Sequence, residues 1–195
     1  MTTIQPDGLQ SPLESPTVNI TTHSSTGQAA MYLANKPVGR PLPEHGMIVT
    51  EVYTSSKFPV ELNDEIDLCQ HRELMASGQL GIVNPNGTVI RFVDFEPSRT
   101  DTSVMYHRTQ SLDYGVVLEG EMIIDLDDGS STRLKRGDVV IQRGTMHAWR
   151  NASSTQWARM LYVLQDSQPV VVNGLRLKED LGSGAGSFVR SGNDV

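Results

Sequence analysis

The sequence is poor in the features that mark several protein classes. Among 195 residues it has one cysteine, Cys69. A single thiol excludes an internal disulfide and a cysteine-based metal cluster, and it fits a reducing compartment. No stretch approaches the roughly 18 consecutive apolar residues of a membrane-spanning helix. The opening MTTIQPDGLQ lacks a basic and an apolar segment, so the expectation is a cytoplasmic chain without a secretory signal. Positive charge is scarce too: 16 Lys plus Arg stand against 23 Asp plus Glu, for a net charge of −7. No basic run is there to neutralise phosphates, so neither nucleic acid nor an anionic membrane is an expected partner.

What is present divides the chain into three parts. Residues 1–40 hold ten Ser or Thr, four Pro and only four charged residues, the composition of an arm that stays free or packs on a partner subunit. Residues 176–195 end in LGSGAGSFVRSGNDV and read as a loose tail. The domain is expected over 41–175. Within it, 59–80 is the one plausible helical or irregular insert. From Thr88 onward the pattern becomes short strands: 88–95, 103–109, 113–120, 121–128, 132–137, 138–144, 146–151 and 157–164. Many short strands separated by Gly-containing turns predict an all-β sandwich or barrel. LEGEM (118–122) and DDGSS (127–131) read as tight hairpins.

Side chains with chemical potential cluster in two segments, 107–120 and 137–151. Alternate residues of a strand share a face. His107 and Thr109 then share one face, Asp113, Gly115 and Val117 a second, and His147, Trp149 and Asn151 a third. If all three faces point into a barrel, two imidazoles and one carboxylate converge. That two-His-one-carboxylate type suits Fe, Mn, Zn or Ni and leaves open positions.

These two segments resemble the two motifs of the cupin superfamily. His107, Asp113 and Gly120 match the first motif, and Gly137, Gly144, His147 and Asn151 match the second with one residue fewer near its start. Three positions depart from the pattern. Thr109 stands in place of the second histidine, Asp113 in place of glutamate, and Gln142 where proline is usual. The resemblance implies a single-domain cupin, a jelly-roll barrel with an N-terminal arm, pairing as a homodimer through sheet edges and N-terminal strands. It also implies a pocket in which His107, Asp113 and His147 hold a divalent metal, with the departures leaving a metal-free site open.

For substrate contact the candidates are Thr109, Trp149, Met105, Arg91 and Trp157. Trp149 is favoured by parity with His147, whereas parity turns Tyr106 and Tyr114 outward. Arg91 and Arg159 can anchor a carboxylate if they point inward. Cys69 reads as a small buried hydrophobe, His71 as a surface residue of the insert, and Asn151 as a structural hydrogen-bonder at a strand end. The functional expectation is a small-molecule enzyme in which His107, Asp113 and His147 are catalytic. It would be a metal-assisted or acid–base lyase or isomerase acting on a small oxygenated carbonyl compound, and cupins of this look often sit in secondary metabolism. The alternatives are an Fe-dependent dioxygenase and a non-catalytic small-ligand-binding cupin with a relic site.

Overall fold

In the N-terminal arm, β1 (Val18–His23) and β2 (Ala29–Asn35) form an antiparallel hairpin. Met31, Leu33 and Val38 there are exposed. The computed structural model describes residues 8–99 and 104–194, so the first seven residues of the expected arm, the start of the strand expected at Ser103 and the final Val195 lie outside the described residues.

After the arm come β3 (Arg40–Leu42) and β4 (Met47–Ser55). The insert follows as a 3-10 turn (Asn63–Glu65) and helix α1 (Ile66–Ser77). Only Leu68 of α1 is buried, so the helix has little apolar face to dock with. It is held to β4 by polar contacts instead: Tyr53 donates to Asp67, and His71 Nδ1 meets the Thr54 main-chain N–H at 3.2 Å. Cys69 is exposed on this helix, against the expectation of burial, because the helix lies on the outside of the sheet.

The remaining strands are β5 (Thr88–Phe95), β6 (Ser111–Glu119), β7 (Glu121–Leu126), β8 (Ser131–Lys135), β9 (Val139–Arg143), β10 (His147–Asn151), β11 (Ala158–Asp166), β12 (Val170–Val172) and β13 (Leu175–Leu177). A six-stranded sheet runs β3-β4-β5-β11-β6-β9 and a three-stranded sheet β10-β7-β8. The fold is all-β with one short helical insert. β11 is the spine of the larger sheet, pairing antiparallel with β5 on one side and β6 on the other. Its alternation explains why: Ala158, Met160, Tyr162 and Leu164 are buried while the residues between them are partly exposed. The core between the sheets is built on Val49, Val89, Val117, Met122 and Met160, all nearly inaccessible.

The DDGSS hairpin forms between β7 and β8. LEGEM does not form one. β6 and β7 lie in different sheets, and Gly120 between them is the corner where the chain crosses over. Its φ is +72°, and a Cβ there would lie 2.9 Å from the Ala158 Cβ and from the Trp157 carbonyl. Only glycine fits that corner.

The strand expected over 103–109 is reduced to two isolated bridges, His107 to His147 and Arg108 to Asp180. The second of these draws in the C-terminal segment. Expected as loose, the segment packs on the barrel through Asp194: Leu181, Glu179 and Ser191 are buried, Ser191 Oγ accepts from the Val83 N–H at 3.0 Å, and Val189 bridges Gly81. Its Gly/Ser content allows it to follow the barrel surface closely. At Gly81 a Cβ would sit 2.7 Å from the Ser191 Cα.

Met160→Ala should destabilise the protein by about 2–5 kcal/mol, because it empties a fully buried site on the central strand. Urea unfolding followed by circular dichroism would measure this. A loss below about 0.5 kcal/mol would contradict the placement of Met160 in the core.

Candidate active site

The inward faces of β4, β5, β6, β9, β10 and β11 enclose a cavity with about 70 Å³ of free space. At roughly 10–15 Å³ per water, that holds a handful of waters or a small organic molecule. Its wall is mostly apolar (Val49, Val93, Phe95, Leu164 and others), with Arg91, His107, Asp113, Gln142 and His147 as the polar groups.

Strand geometry sets the histidines side by side. His107 and His147 exchange both main-chain hydrogen bonds, N to O at 2.9 and 3.0 Å. That is the closed pair of an antiparallel ladder, which directs both side chains to one face. The rings lie 4.2 Å apart, centroid to centroid, at 53°. His107 Nδ1 is 3.2 Å from the Met105 carbonyl, which can accept its proton.

Asp113, two residues into β6, is buried and lies opposite Gln142 in the β6–β9 register. The Gln142 Nε2 donates to Asp113 Oδ2 at 3.2 Å and meets His147 Nδ1 at 2.7 Å. One amide N–H₂ thus serves the carboxylate and the imidazole together. His147 Nδ1 also lies 3.0 Å from the Thr145 carbonyl. With an ionised Asp113 the amide keeps its N–H₂ toward both groups. The other Asp113 oxygen, Oδ1, is buried without a hydrogen-bond partner.

Burial shapes the titration of all three groups. Desolvation raises Asp113 to about 6, against the pull of the Ser111 and Thr109 hydroxyls and the Arg91 charge. Desolvation lowers His107 to about 4, helped by Arg91, and lowers His147 to about 3, helped by His107. At neutral pH the imidazoles are neutral and the carboxylate is mostly ionised.

Of the residues picked from sequence, His107, Asp113, His147, Trp149, Met105 and Arg91 all line this cavity, whereas Thr109 and Trp157 do not. Thr109 is buried beside Asp113, where its Oγ1 accepts from the Ser111 hydroxyl at 2.7 Å. Trp157 precedes β11, outside the barrel mouth. Arg159 is not in the cavity wall either, since it forms a two-point ion pair with Asp94 at 2.5 and 2.7 Å. Tyr106 and Tyr114 face outward, and the Asn151 amide holds the carbonyls of Phe95, Glu96 and Gln156.

A cupin of this pattern implies a metal held by His107, Asp113 and His147. The three share a cavity without forming a ligand set. Among the described residues no three His, Cys or carboxylate groups come close enough to hold an ion. Gln142 already engages Asp113 Oδ2 and His147 Nδ1. The residues as arranged do not fit the three-ligand metal site.

Nine wall residues escaped the sequence reading, and Gln142, Tyr162 and Phe188 show why. Gln142 was visible only as a missing proline, and its bridging role needs the cross-strand register. Tyr162 follows the β11 alternation and could have been found from it. Phe188 comes from the C-terminal segment and carried no signal.

A cupin-domain family model matches residues 91–164. Oryzines biosynthesis cluster protein J of Aspergillus oryzae is 39% identical over 164 residues, spanning 84% of this chain and 89% of its own length. The chain belongs to the cupin family. Phomopsin biosynthesis cluster protein D of Diaporthe leptostromiformis is 40% identical over 141 residues, 72% of each chain. The cupin-domain-containing oxidoreductase srdB of Neurospora crassa is 34% identical over 171 residues, 87% of this cupin and 83% of its own length. Among solved structures, the polyketide cyclase RemF from Streptomyces resistomycificus aligns with a TM-score of 0.44 and 17% identity over 74% of this chain and 79% of its own.

The titration of this cupin's cavity has a consequence for stability. Both histidines bind protons more readily when unfolded, so they cost stability as pH falls from about 6.5 toward 3–4. Asp113 acts oppositely, binding its proton more readily when folded between 3.8 and about 6. Two groups outweigh one, so the urea midpoint should fall from pH 6.5 to 4.5. In a His107→Gln, His147→Gln double variant that fall should shrink, and an unchanged slope would show that the histidines are not buried neutral.

Proposed function

We propose that this cupin is a small-molecule enzyme of secondary metabolism that moves a proton on an oxygenated carbonyl compound. The reaction class is lyase or isomerase: decarboxylation, dehydration, or double-bond or keto–enol isomerisation. The observation that carries this reading is Asp113, a buried carboxylate on the cavity wall with one oxygen free and a pKa of about 6. A base poised just below neutrality is both ionised and able to take a proton. The names of the biosynthesis-cluster relatives support the metabolic setting.

In this mechanism Asp113 Oδ1 removes a proton from the carbon next to the carbonyl. The C–H electron pair becomes the enolate, and its negative charge settles on the carbonyl oxygen. His147, neutral and protonated on Nε2, donates a hydrogen bond to that oxygen. Donors fixed in place before the reaction stabilise such charge without reorganising. Asp113 then returns the proton at the same or a neighbouring carbon, or the enolate expels a β-hydroxyl that takes this proton and leaves as water; in a decarboxylation the C–C pair becomes the enolate as CO₂ departs, and Asp113 in its acid form supplies the proton that quenches it. Gln142 holds Asp113 and His147 in their roles through one amide.

A second reading is an oxidoreductase, of which an iron-dependent dioxygenase is one type; the relatives srdB and the virC protein of Hypocrea virens, both named cupin-domain-containing oxidoreductases, favour the broader class. It would need the Gln142 amide to release His147, and metal dependence separates it from the first reading.

The test is proton exchange in D₂O on a panel of small β-keto and α,β-unsaturated carbonyl compounds, followed by NMR. Exchange should occur with some of them, persist in a chelator and fall on an acid limb near pH 6. Asp113→Asn should lower it by about 10²–10⁴-fold. Exchange with none of them, or exchange lost to chelation and restored by a metal, would overturn the proton-transfer reading.

A further inference from the structure

We propose that Arg91 is the anion anchor of the barrel cavity and selects substrates that carry a carboxylate. The inference rests on the reading of the cavity as a small-molecule site and names the class of molecule it admits.

Arg91 lies on β5, between Glu51 on β4 and Tyr162 on β11 in the sheet register. Only 4% of it is accessible, and it contributes to the cavity wall. Both of its hydrogen bonds leave from Nη2, to the carbonyls of Gly81 at 3.2 Å and Ile82 at 2.8 Å. Its Nε is buried with no partner. A guanidinium has five N–H donors, so this one is under-used.

Its charge is also uncompensated at close range. Glu51 and Asp113 act on it through space, yet no ion pair joins Arg91 to a carboxylate among the described residues. Arg159, one strand over, shows the contrast: its guanidinium is fully matched by Asp94. A buried cation with idle donors is costly unless something anionic meets it. Carboxylates match a guanidinium in charge and in geometry. The surrounding wall, including Val93, Phe95 and Leu164, suits the hydrocarbon part of such a molecule. The two carbonyl contacts hold the guanidinium in place before a ligand arrives.

This arrangement also sorts the cavity by charge. Arg91 is its one cation and Asp113 its one carboxylate among the lining residues, while the histidines are neutral. A substrate carboxylate on Arg91 leaves Asp113 free for the carbon being deprotonated. Arg91 is thus a specificity-determining residue, separate from the proton carriers.

The test compares crotonate with crotonamide, which match in size and differ in charge, by calorimetric titration of the full chain at neutral pH. Crotonate should bind the wild type about tenfold or more tightly than the amide. Arg91→Met should bring the two to near parity, and Arg91→Lys should keep part of the preference. Equal affinities in the wild type, no binding of crotonate, or a preference that survives in Arg91→Met would overturn the proposal. Should Arg91→Met fail to fold by circular dichroism, the wild-type comparison and Arg91→Lys still decide. The outcome is independent of turnover. Proton exchange on neutral ketones without a carboxylate preference removes the anchor and leaves the proton-transfer reading standing. A carboxylate preference without proton exchange does the reverse.

Discussion

Two main-chain hydrogen bonds between His107 and His147 tie the chemistry of this cupin to its architecture. Residues 104–110 have no strand of their own to belong to. The paired bonds fasten that segment to β10, and Arg108 then fastens it to Asp180 of the C-terminal segment. Three remote parts of the chain are thereby joined along one side of the barrel. The same bonds set the two rings 4.2 Å apart. Closing the barrel and pairing the imidazoles are one event, because a closed antiparallel pair leaves its side chains on a common face.

Gln142 occupies the place that links this pair to the carboxylate. An amide carries two N–H donors, and here its nitrogen meets both the Asp113 carboxylate and the His147 ring. Proline at that position would offer no donor. The departure from the usual cupin pattern is therefore coherent with the other two. A shorter carboxylate at Asp113, a hydroxyl at Thr109 and an amide at Gln142 together make a buried polar cluster. Burial in the cavity disfavours the charged forms, raising the carboxylate and lowering the imidazoles.

The C-terminal segment contributes more than cover. Phe188 supplies part of the cavity wall, and the Gly81–Ile82 stretch that steadies Arg91 is itself bridged by Val189 and capped by Ser191. The position of the buried guanidinium therefore depends on residues nearly a hundred positions away. In contrast, α1 and the β1–β2 hairpin stand apart from the cavity, consistent with their exposed faces.

Most of the strands between Thr88 and Leu164, the all-β fold and six of the eight candidate cavity residues were legible in the amino-acid order, whereas β1 to β4 and β12 to β13 were not. Periodicity of two declares which side of a strand is buried, and the motif spacings around His107 and His147 declare where the barrel turns. What the order left open were relations between strands. Gly120 reads like a hairpin glycine, yet it is a corner between sheets, since pairing depends on which strands the sheet brings together. Thr109 shares a face with His107 in the sequence pattern but stays out of the cavity wall, where its Oγ1 accepts from Ser111. Asp113, Gln142 and His147 meet only through the β6–β9 register and the loop that follows it. The Gly/Ser-rich end looks loose because its order comes from shape-matching to the barrel rather than from any periodic apolar face. Local sequence determined which residues could face inward. Only the tertiary structure decided which of them touch, because hydrogen-bond partners across strands are set by register and closure and not by spacing along the chain.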